Sequence, residues 1–485
     1  WSSDVCSSDL VLLRQSLALL SNGSSEDARK EIQRLEESHG MRREWVWAQL
    51  GHSPLANALK HLEALAELTS RDLISGSVDS LVQDYFTEGW KVDSAVVNAL
   101  KCVRTNDDLL AVSTVLDVLY KPWLRDTAEQ FQAAWTKSPP KTVKTTTPPE
   151  PGVVYLFVDG LRMDTGFGLK DKLETQGFGC IIKPRIASLP SITETGKPAV
   201  SPVAGEFFAG PELSPITREG TTVDARVLRG VLSELGFEVL RDDETGNLQS
   251  CAWAECGRLD EIGHIEGCKL AWRIDDELDA VCRRVCRLLD AGWKEVRVLT
   301  DHGWLLLPGG LPTYLLYEKL TDVRKGRCAR LKPDADPDGV ITIPWFWDSL
   351  VVIAMPPGTR CFVAGKQYEH GGISPQEIVV PELTVCGTQL SPSVQFTKVA
   401  WSGMRCRVTL EGNTIGMRVD LRLKPADPSS SVVDSGKSIP QDLQIALVCD
   451  DDSLEGTPAV LVVHPDSKQD RVVSQYATFI GGRES

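Results

Sequence analysis

Several things are scarce or missing in this chain. No apolar run approaches the roughly 18 residues that a membrane-crossing helix needs. The nearest, Ile343 to Met355, is interrupted by Asp348. Basic residues are outnumbered, 52 against 67 acidic ones, for a net charge of −15. A chain this acidic does not wrap DNA through a broad basic face, although a local basic patch or bound metal ions would still attract phosphate. The 13 cysteines form no CxxC pair and keep no regular spacing, which points to reduced, buried thiols. Histidine is scarce, with seven in 485 residues. No signal peptide is visible. The chain starts without Met on WSSDVCSSDL, a short Ser/Asp duplication that reads as a truncated or artefactual start, so the missing signal weighs little.

What is present is ordinary globular composition, 42% apolar and 25% charged. At about 150 residues per domain the length suggests about three domains. Residues 1–138 read as a helical domain. Ser24 with Asp27, and Thr105 with Asp108, offer capping boxes, and Leu55, Leu59, Leu62, Leu65 and Leu68 recur at helical spacing. His39, His52 and His61 lack carboxylate partners at ligand spacing and read as surface or satisfied core residues. Residues 139–151, rich in Pro, Thr and Lys, read as a linker.

From 152 to 386 strands and helices alternate. VVYLFV and EVRVLT read as buried strands, and Ile274, Leu278, Val281, Val285 and Leu288 mark one helix face. The expectation is an α/β domain with a mainly parallel sheet and chemistry at its strand ends. Residues 387–485 lack that alternation and read as a small β-rich domain, a sandwich.

The α/β region holds three histidines, and each has company. Asp159 ends the first strand in LFVDGLR. Asp301 and His302 end another in VLTDHG. Asp260 and His264 form a D-x-x-x-H pair that shares one face of a helix, and His370 lies in YEHGG. Each signal is weak alone, because a strand-end Asp is usually a turn former and a single His is usually structural. Together they absorb every histidine of the region. Mixed carboxylate and imidazole ligands suit Zn2+ or Mn2+ better than Ca2+. Two such ions can bind the attacking and leaving oxygens of a phosphoryl transfer. The segment ASLPSITETGKPAV supplies a nucleophile, Thr193 or else Ser191, ahead of a short helix. Thr193 taken alone would read as a helix N-cap. Arg162 and Lys197 are placed to clamp a phosphate oxygen and otherwise read as surface charges. Glu369 is placed to orient its neighbour His370. Trp304 and WLLLPGGLPT read as a rim or lid over the site, or else as plain core.

The order Asp159, Thr193, Asp260 with His264, Asp301 with His302, and His370 resembles the alkaline phosphatase superfamily. That resemblance implies two metal sites. Asp159, Thr193, Asp301 and His302 would hold one ion, and Asp260, His264 and His370 the other, Zn2+ first with Mn2+ or Mg2+ as alternatives. The local wording, VDGLRMD, LPSITETGKPAV, TDHG and YEHGGISPQEIVVPEL, looks like the PglZ domain of BREX phage-defence systems, its type B form. It covers about 152–386. It implies an alkaline-phosphatase-like fold and a metal-dependent phosphatase or phosphodiesterase with Thr193 as nucleophile. It also implies a cytoplasmic protein acting in antiviral defence beside a DNA methyltransferase, an ATPase and other BREX components, with DNA met through those partners. The alternative is a PglZ-fold scaffold that regulates the complex without turnover. Neither flank offers an acid, base or ligand cluster. Both are therefore expected to dock substrate or partners, and a 152–386 fragment, if it folds, to keep metal binding and turn over a small diester.

Overall fold

The computed structural model describes residues 12–44, 53–71, 76–141, 143–386 and 394–482, apart from 413, 415, 434, 435, 441, 442, 467, 468, 470 and 471. His52 and the opening WSSDVCSSDL lie outside the described residues. The chain divides into two compact units, Trp1–Gly387 and Thr388–Ser485. No helix among the described residues is long and apolar enough to cross a membrane.

The first unit opens with helices α1 (Ser25–His39), α2 (Pro54–Leu68), α3 (Val78–Asp84), α4 (Trp90–Cys102) and α5 (Asn106–Lys137). Ser24 starts α1 with a reciprocal capping box to Asp27, and the Thr105 hydroxyl accepts from the Asp108 amide to start α5. The leucine spacing in α2 buries Leu55, Leu59, Leu62 and Leu65 on one face.

The sheet follows. Its strands are β1 (Val153–Phe157), β2 (Gly179–Ile186), β3 (Phe237–Leu240), β4 (Cys251–Glu255), β5 (Glu295–Leu299) and β6 (Val379–Cys386). They lie in the order β2-β6-β5-β1-β4-β3. β5, β1, β4 and β3 pair in parallel, and β6 runs antiparallel to both β2 and β5. β2 therefore points the same way as the parallel set. The carboxyl ends of β2, β5, β1 and β4 share one edge, where loops converge in open α/β sheets. Helices α6 (Met163–Thr175), α7 (Thr193–Val200), α8 (Ala225–Glu234), α9 (Leu259–Glu266) and α10 (Ile274–Asp290) fill the crossovers. An antiparallel sheet of four short strands is inserted between residues 321 and 355.

The mainly parallel sheet is as expected. The independence of the helical segment is not what the structure has. Leu59, Leu62, Val96, Leu100 and Leu116 share one buried core with Val154, Leu156, Val296, Val298 and Trp304. Trp90 stacks on Phe167 with ring centroids 4.1 Å apart. The buried Gln132 amide donates to the carbonyls of Gly358 and Ile373 and accepts from the Gly358 amide. Amphipathic helices leave an apolar face that some partner must cover, and here the partner is the sheet body. The Pro/Thr/Lys stretch is strapped down as well. Thr146 bridges Val203, and Lys144 donates to the Trp347 carbonyl.

The second unit is β-rich, as expected. One antiparallel sheet holds Gln395–Ser402, Arg405–Glu411 and Gln444–Val448. A second holds Lys437–Ser438, Met417–Arg422, Pro458–Pro465 and Ser474–Phe479. Alternate residues such as Cys406, Val408, Leu410, Val419 and Leu421 build one core.

Candidate functional site

The residues singled out in the sequence sit on loops and helix starts at the carboxyl edge of the sheet. Asp159 lies just past β1, and Asp301 and His302 just past β5. Asp260 and His264 are one turn apart on α9, which follows β4. Thr193 is the first residue of α7, and His370 follows the two-residue strand Tyr368–Glu369. Two glycines allow this crowding. A Cβ on Gly196 would lie 2.8 Å from Asp301 Cβ, so only glycine lets α7 settle on that loop. Gly160 has φ +68°, and a Cβ there would press on Asp260 at 3.1 Å.

The side chains gather in two trios. In one, the ligand atoms of Asp159, Asp301 and His302 lie within 4.8 Å of one another, and in the other those of Asp260, His264 and His370 do. Thr193 Oγ1 joins the first trio, 3.2 Å from His302 Nε2 and 3.5 Å from Asp159 Oδ1. In the second, His264 Nε2 and His370 Nε2 are 3.0 Å apart, with Asp260 Oδ1 3.5 and 3.3 Å away. The His302 and His370 rings stack at 3.7 Å and 7°, which joins the two trios.

The surroundings fix which atoms face inward. His302 Nδ1 lies 3.0 Å from the Gly303 carbonyl and His370 Nδ1 2.8 Å from the Ser191 carbonyl. A carbonyl only accepts, so each Nδ1 carries the proton and each Nε2 presents a lone pair to the centre. Burial first, then Asp301, holds the Asp159 carboxyl well above the usual carboxylate range. Burial and Asp260 push Asp301 up to about 6. Burial also acts to raise Asp260, but the His370, His302 and His264 rings and the Tyr368 hydroxyl hold it below its ordinary value. Asp301 Oδ2 is buried without a hydrogen-bond partner. Repelling carboxylates, bare imidazole lone pairs and an orphaned buried oxygen are what a cationic centre relieves. The donor set thus fits a divalent metal in each trio.

Two residues behave differently from the sequence reading, and a third, Trp304, takes its core alternative. Arg162 is no phosphate clamp. It is 1% exposed, paired with both oxygens of Asp164 at 2.7 and 2.8 Å, and stacked 3.5 Å over Trp304. Lys197 is not free either. Its Nζ is 2.7 Å from Glu255, whose carboxylate also binds Arg229, and it lies over the Phe157 ring. Trp304 is fully buried and donates to the Gly160 carbonyl, so it is core rather than rim or lid. The N-cap of α7 is Ile192, so the Thr193 hydroxyl is not spent on capping. Ser191 is fully buried between the Gly372 carbonyl and the Gly371 amide, which leaves Thr193 as the available hydroxyl. Tyr368, whose hydroxyl donates to Asp260 at 2.8 Å, went unnoticed in the sequence. Its place two residues before His370 is the only hint there.

Arg162 and Trp304 instead lock the loop after β1 to the loop after β5, and the lock is anchored in the helices. Asp93 of α4 accepts from Tyr85 and Tyr120 at 2.8 and 2.6 Å and lies 3.9 Å from Arg162. Burial and Asp164 outweigh the pull of Arg162 and push the Asp93 carboxyl up to about 6. The unfolded chain titrates near 3.9, so the native state holds this proton more tightly. The resulting stability is fully present below about pH 4, declines between about pH 4 and 6, and is gone above. Asp93→Asn removes the ionisation. With chelator present, the variant is expected to lose less melting temperature than wild type between about pH 4.5 and 6.5. Equal losses in the two proteins would show that Asp93 does not titrate in this way.

No family model matches the chain. No curated protein matches it. Among solved structures, murine ectonucleotide pyrophosphatase/phosphodiesterase 5 is similar at 9% identity, over 49% of this chain and 88% of that one, with a TM-score of 0.32. At that level the likeness carries no weight.

Proposed function

We propose that this chain is a metal-dependent phosphoester hydrolase that uses Thr193 as nucleophile and two divalent cations, Zn2+ first, with Mn2+ or Mg2+ as alternatives. The supporting observation is the placement of Thr193 Oγ1 within 3.2–3.5 Å of one metal-fit trio, with the second trio stacked against it. Asp159, Thr193, Asp301 and His302 would hold one ion, and Asp260, His264 and His370 the other. Bound cations supply Lewis acidity toward phosphate oxygens and ease ionisation of the hydroxyl. The chain does the rest. Thr193 opens α7, at the positive end of the helix dipole, which favours negative charge there. The Thr193 Oγ1–phosphorus bond forms as an ester P–O bond breaks, and the proton that Thr193 gives up passes through solvent water to the departing alkoxide. A second water then cleaves the phosphothreonine, returning Thr193 and free phosphate or monoester.

The proposed setting is BREX phage defence, beside a DNA methyltransferase and an ATPase, in the cytoplasm. Support for that setting is the PglZ-like wording of VDGLRMD, LPSITETGKPAV, TDHG and YEHGG. The test is elemental analysis of the purified chain together with hydrolysis of bis-p-nitrophenyl phosphate. Wild type should carry two divalent ions per chain and turn the diester over. Asp301→Ala should lose metal and turnover together, because it removes a fully buried ligand oxygen. A protein that binds no metal, or an Asp301→Ala variant with full metal and activity, would overturn the proposal.

A further inference from the structure

Among the described residues, most cations near this site have a close carboxylate partner. Lys197, on the helix of Thr193, is 2.7 Å from Glu255. Lys366, four residues before His370, is 3.2 Å from Glu369. Arg162 is 2.7 Å from Asp164, and Arg185 is 3.9 Å from Glu382. Lys325 Nζ is 2.5 Å from Glu194 Oε1, and both side chains are about two-fifths exposed, 41% and 42%. This last pair is the most telling by position. Glu194 directly follows Thr193 in the first turn of α7. Lys325 follows the strand Thr321–Arg324 of the inserted sheet. Its neighbour Gly326 presses on the Glu369 carboxyl so closely that a Cβ would lie 2.4 Å from Oε1. Glu369 in turn precedes the ligand candidate His370. The inserted sheet thus brings a lysine to the mouth of the site, and the residue after the nucleophile cancels its charge.

A count of charges then bears on the substrate. With two divalent cations bound, the three carboxylates of the trios would leave one positive charge, and ionised Thr193 would remove it. A phosphodiester brings a single negative charge. A phosphomonoester, with its second pKa near 6, brings almost two at neutral pH, and the lysine at the mouth of the site is already matched by Glu194. We propose that the Glu194–Lys325 ion pair is a specificity device: by neutralising the cation beside Thr193 it favours singly charged phosphodiesters over doubly charged monoesters. This rests on the phosphohydrolase reading above and deepens it.

The test compares kcat/KM on p-nitrophenyl phosphate and bis-p-nitrophenyl phosphate for the metal-loaded full chain. Glu194→Gln unmasks Lys325 and should raise the monoester-to-diester ratio about tenfold, the effect of one charge acting over roughly 6 Å in a partly wet site. Lys325→Met unmasks Glu194 and should lower the ratio by a similar factor. Both variants break the same ion pair, so a merely structural role would move the ratio the same way in both. Glu26→Gln, which breaks an exposed pair with Lys30 on α1, should leave the ratio unchanged. Calorimetry gives a readout that needs no turnover. Glu194→Gln should tighten binding of inorganic phosphate about tenfold more than it tightens binding of dimethyl phosphate, again one extra charge over roughly 6 Å. Ratios that shift in the same direction, or phosphate binding that does not respond, overturn the specificity role. A wild type that binds metal but hydrolyses neither ester overturns the enzyme reading instead, and the calorimetry still decides on the ion pair.

Discussion

Thr193→Ala is expected to abolish diester turnover, by on the order of 10^4-fold or more, while metal content largely persists. The variant deletes a hydroxyl that, unlike that of Ser191, faces the first trio rather than the backbone. Six further ligand candidates remain, and three of them have other supports. His302 and His370 are held through Nδ1 by backbone carbonyls, and Asp260 by Tyr368. Thr193→Ser should recover measurable turnover, because a primary hydroxyl occupies nearly the same place. Ser191→Ala should retain turnover, since that hydroxyl is buried in contacts with Gly371 and Gly372. Wild-type rates in Thr193→Ala would sink the nucleophile assignment. Defence against phage, scored in cells with the same variants, would separate turnover from a scaffold role. Protection that survives Thr193→Ala in a protein without hydrolytic activity favours the scaffold.

The second large effect concerns the helices. A fragment spanning 152–386 is expected not to fold, although the sequence places every candidate site residue within it. Removal of α1 to α5 would strip Trp90 from Phe167 and the Leu100 carbonyl from Trp272, and would take Leu59, Leu62, Val96, Leu100 and Leu116 out of the core they share with the sheet. Each large apolar side chain that loses full burial costs about 1.5–3 kcal/mol. The whole stability of a typical domain is only about 5–15 kcal/mol. The Arg162–Asp164 pair would also lose Asp93, and with it the anchor of both ligand loops. Circular dichroism and proteolysis of the fragment give the measurement. A cooperative melt and intact metal binding would show that the helices are dispensable.

These two expectations differ in how far the sequence reached. Strand-to-loop transitions at Asp159 and Asp301, and the one-turn spacing of Asp260 and His264, are local patterns. Residue type and order alone were enough to gather them into one site. Arg162 and Lys197 were misplaced because their partners are remote or unremarkable in sequence. Arg162 turns inward to Asp164 and Asp93 rather than outward to solvent, and Lys197 finds Glu255 at the end of another strand. Lys325 drew no reading at all, being 131 residues from Glu194 and just past a strand of the inserted sheet. The shared core of helices and sheet was invisible for a related reason. An amphipathic face announces that it needs a partner without naming which one.

The position of β6 has a consequence for biosynthesis. The last strand of its sheet to be made is inserted between β2 and β5, eight residues in register with β2 from Val379↔Ile186 to Cys386↔Gly179. A nascent chain therefore carries all seven site residues before it owns the strand that sets the spacing between the Thr193 segment and the Asp301–His302 loop. Until Cys386 has left the ribosome, β2 and β5 each keep a row of open amides and carbonyls on the side that β6 will take. Bare strand edges of this kind recruit other chains. Premature release just short of β6 would yield an aggregation-prone polypeptide rather than a weakened form of the folded chain.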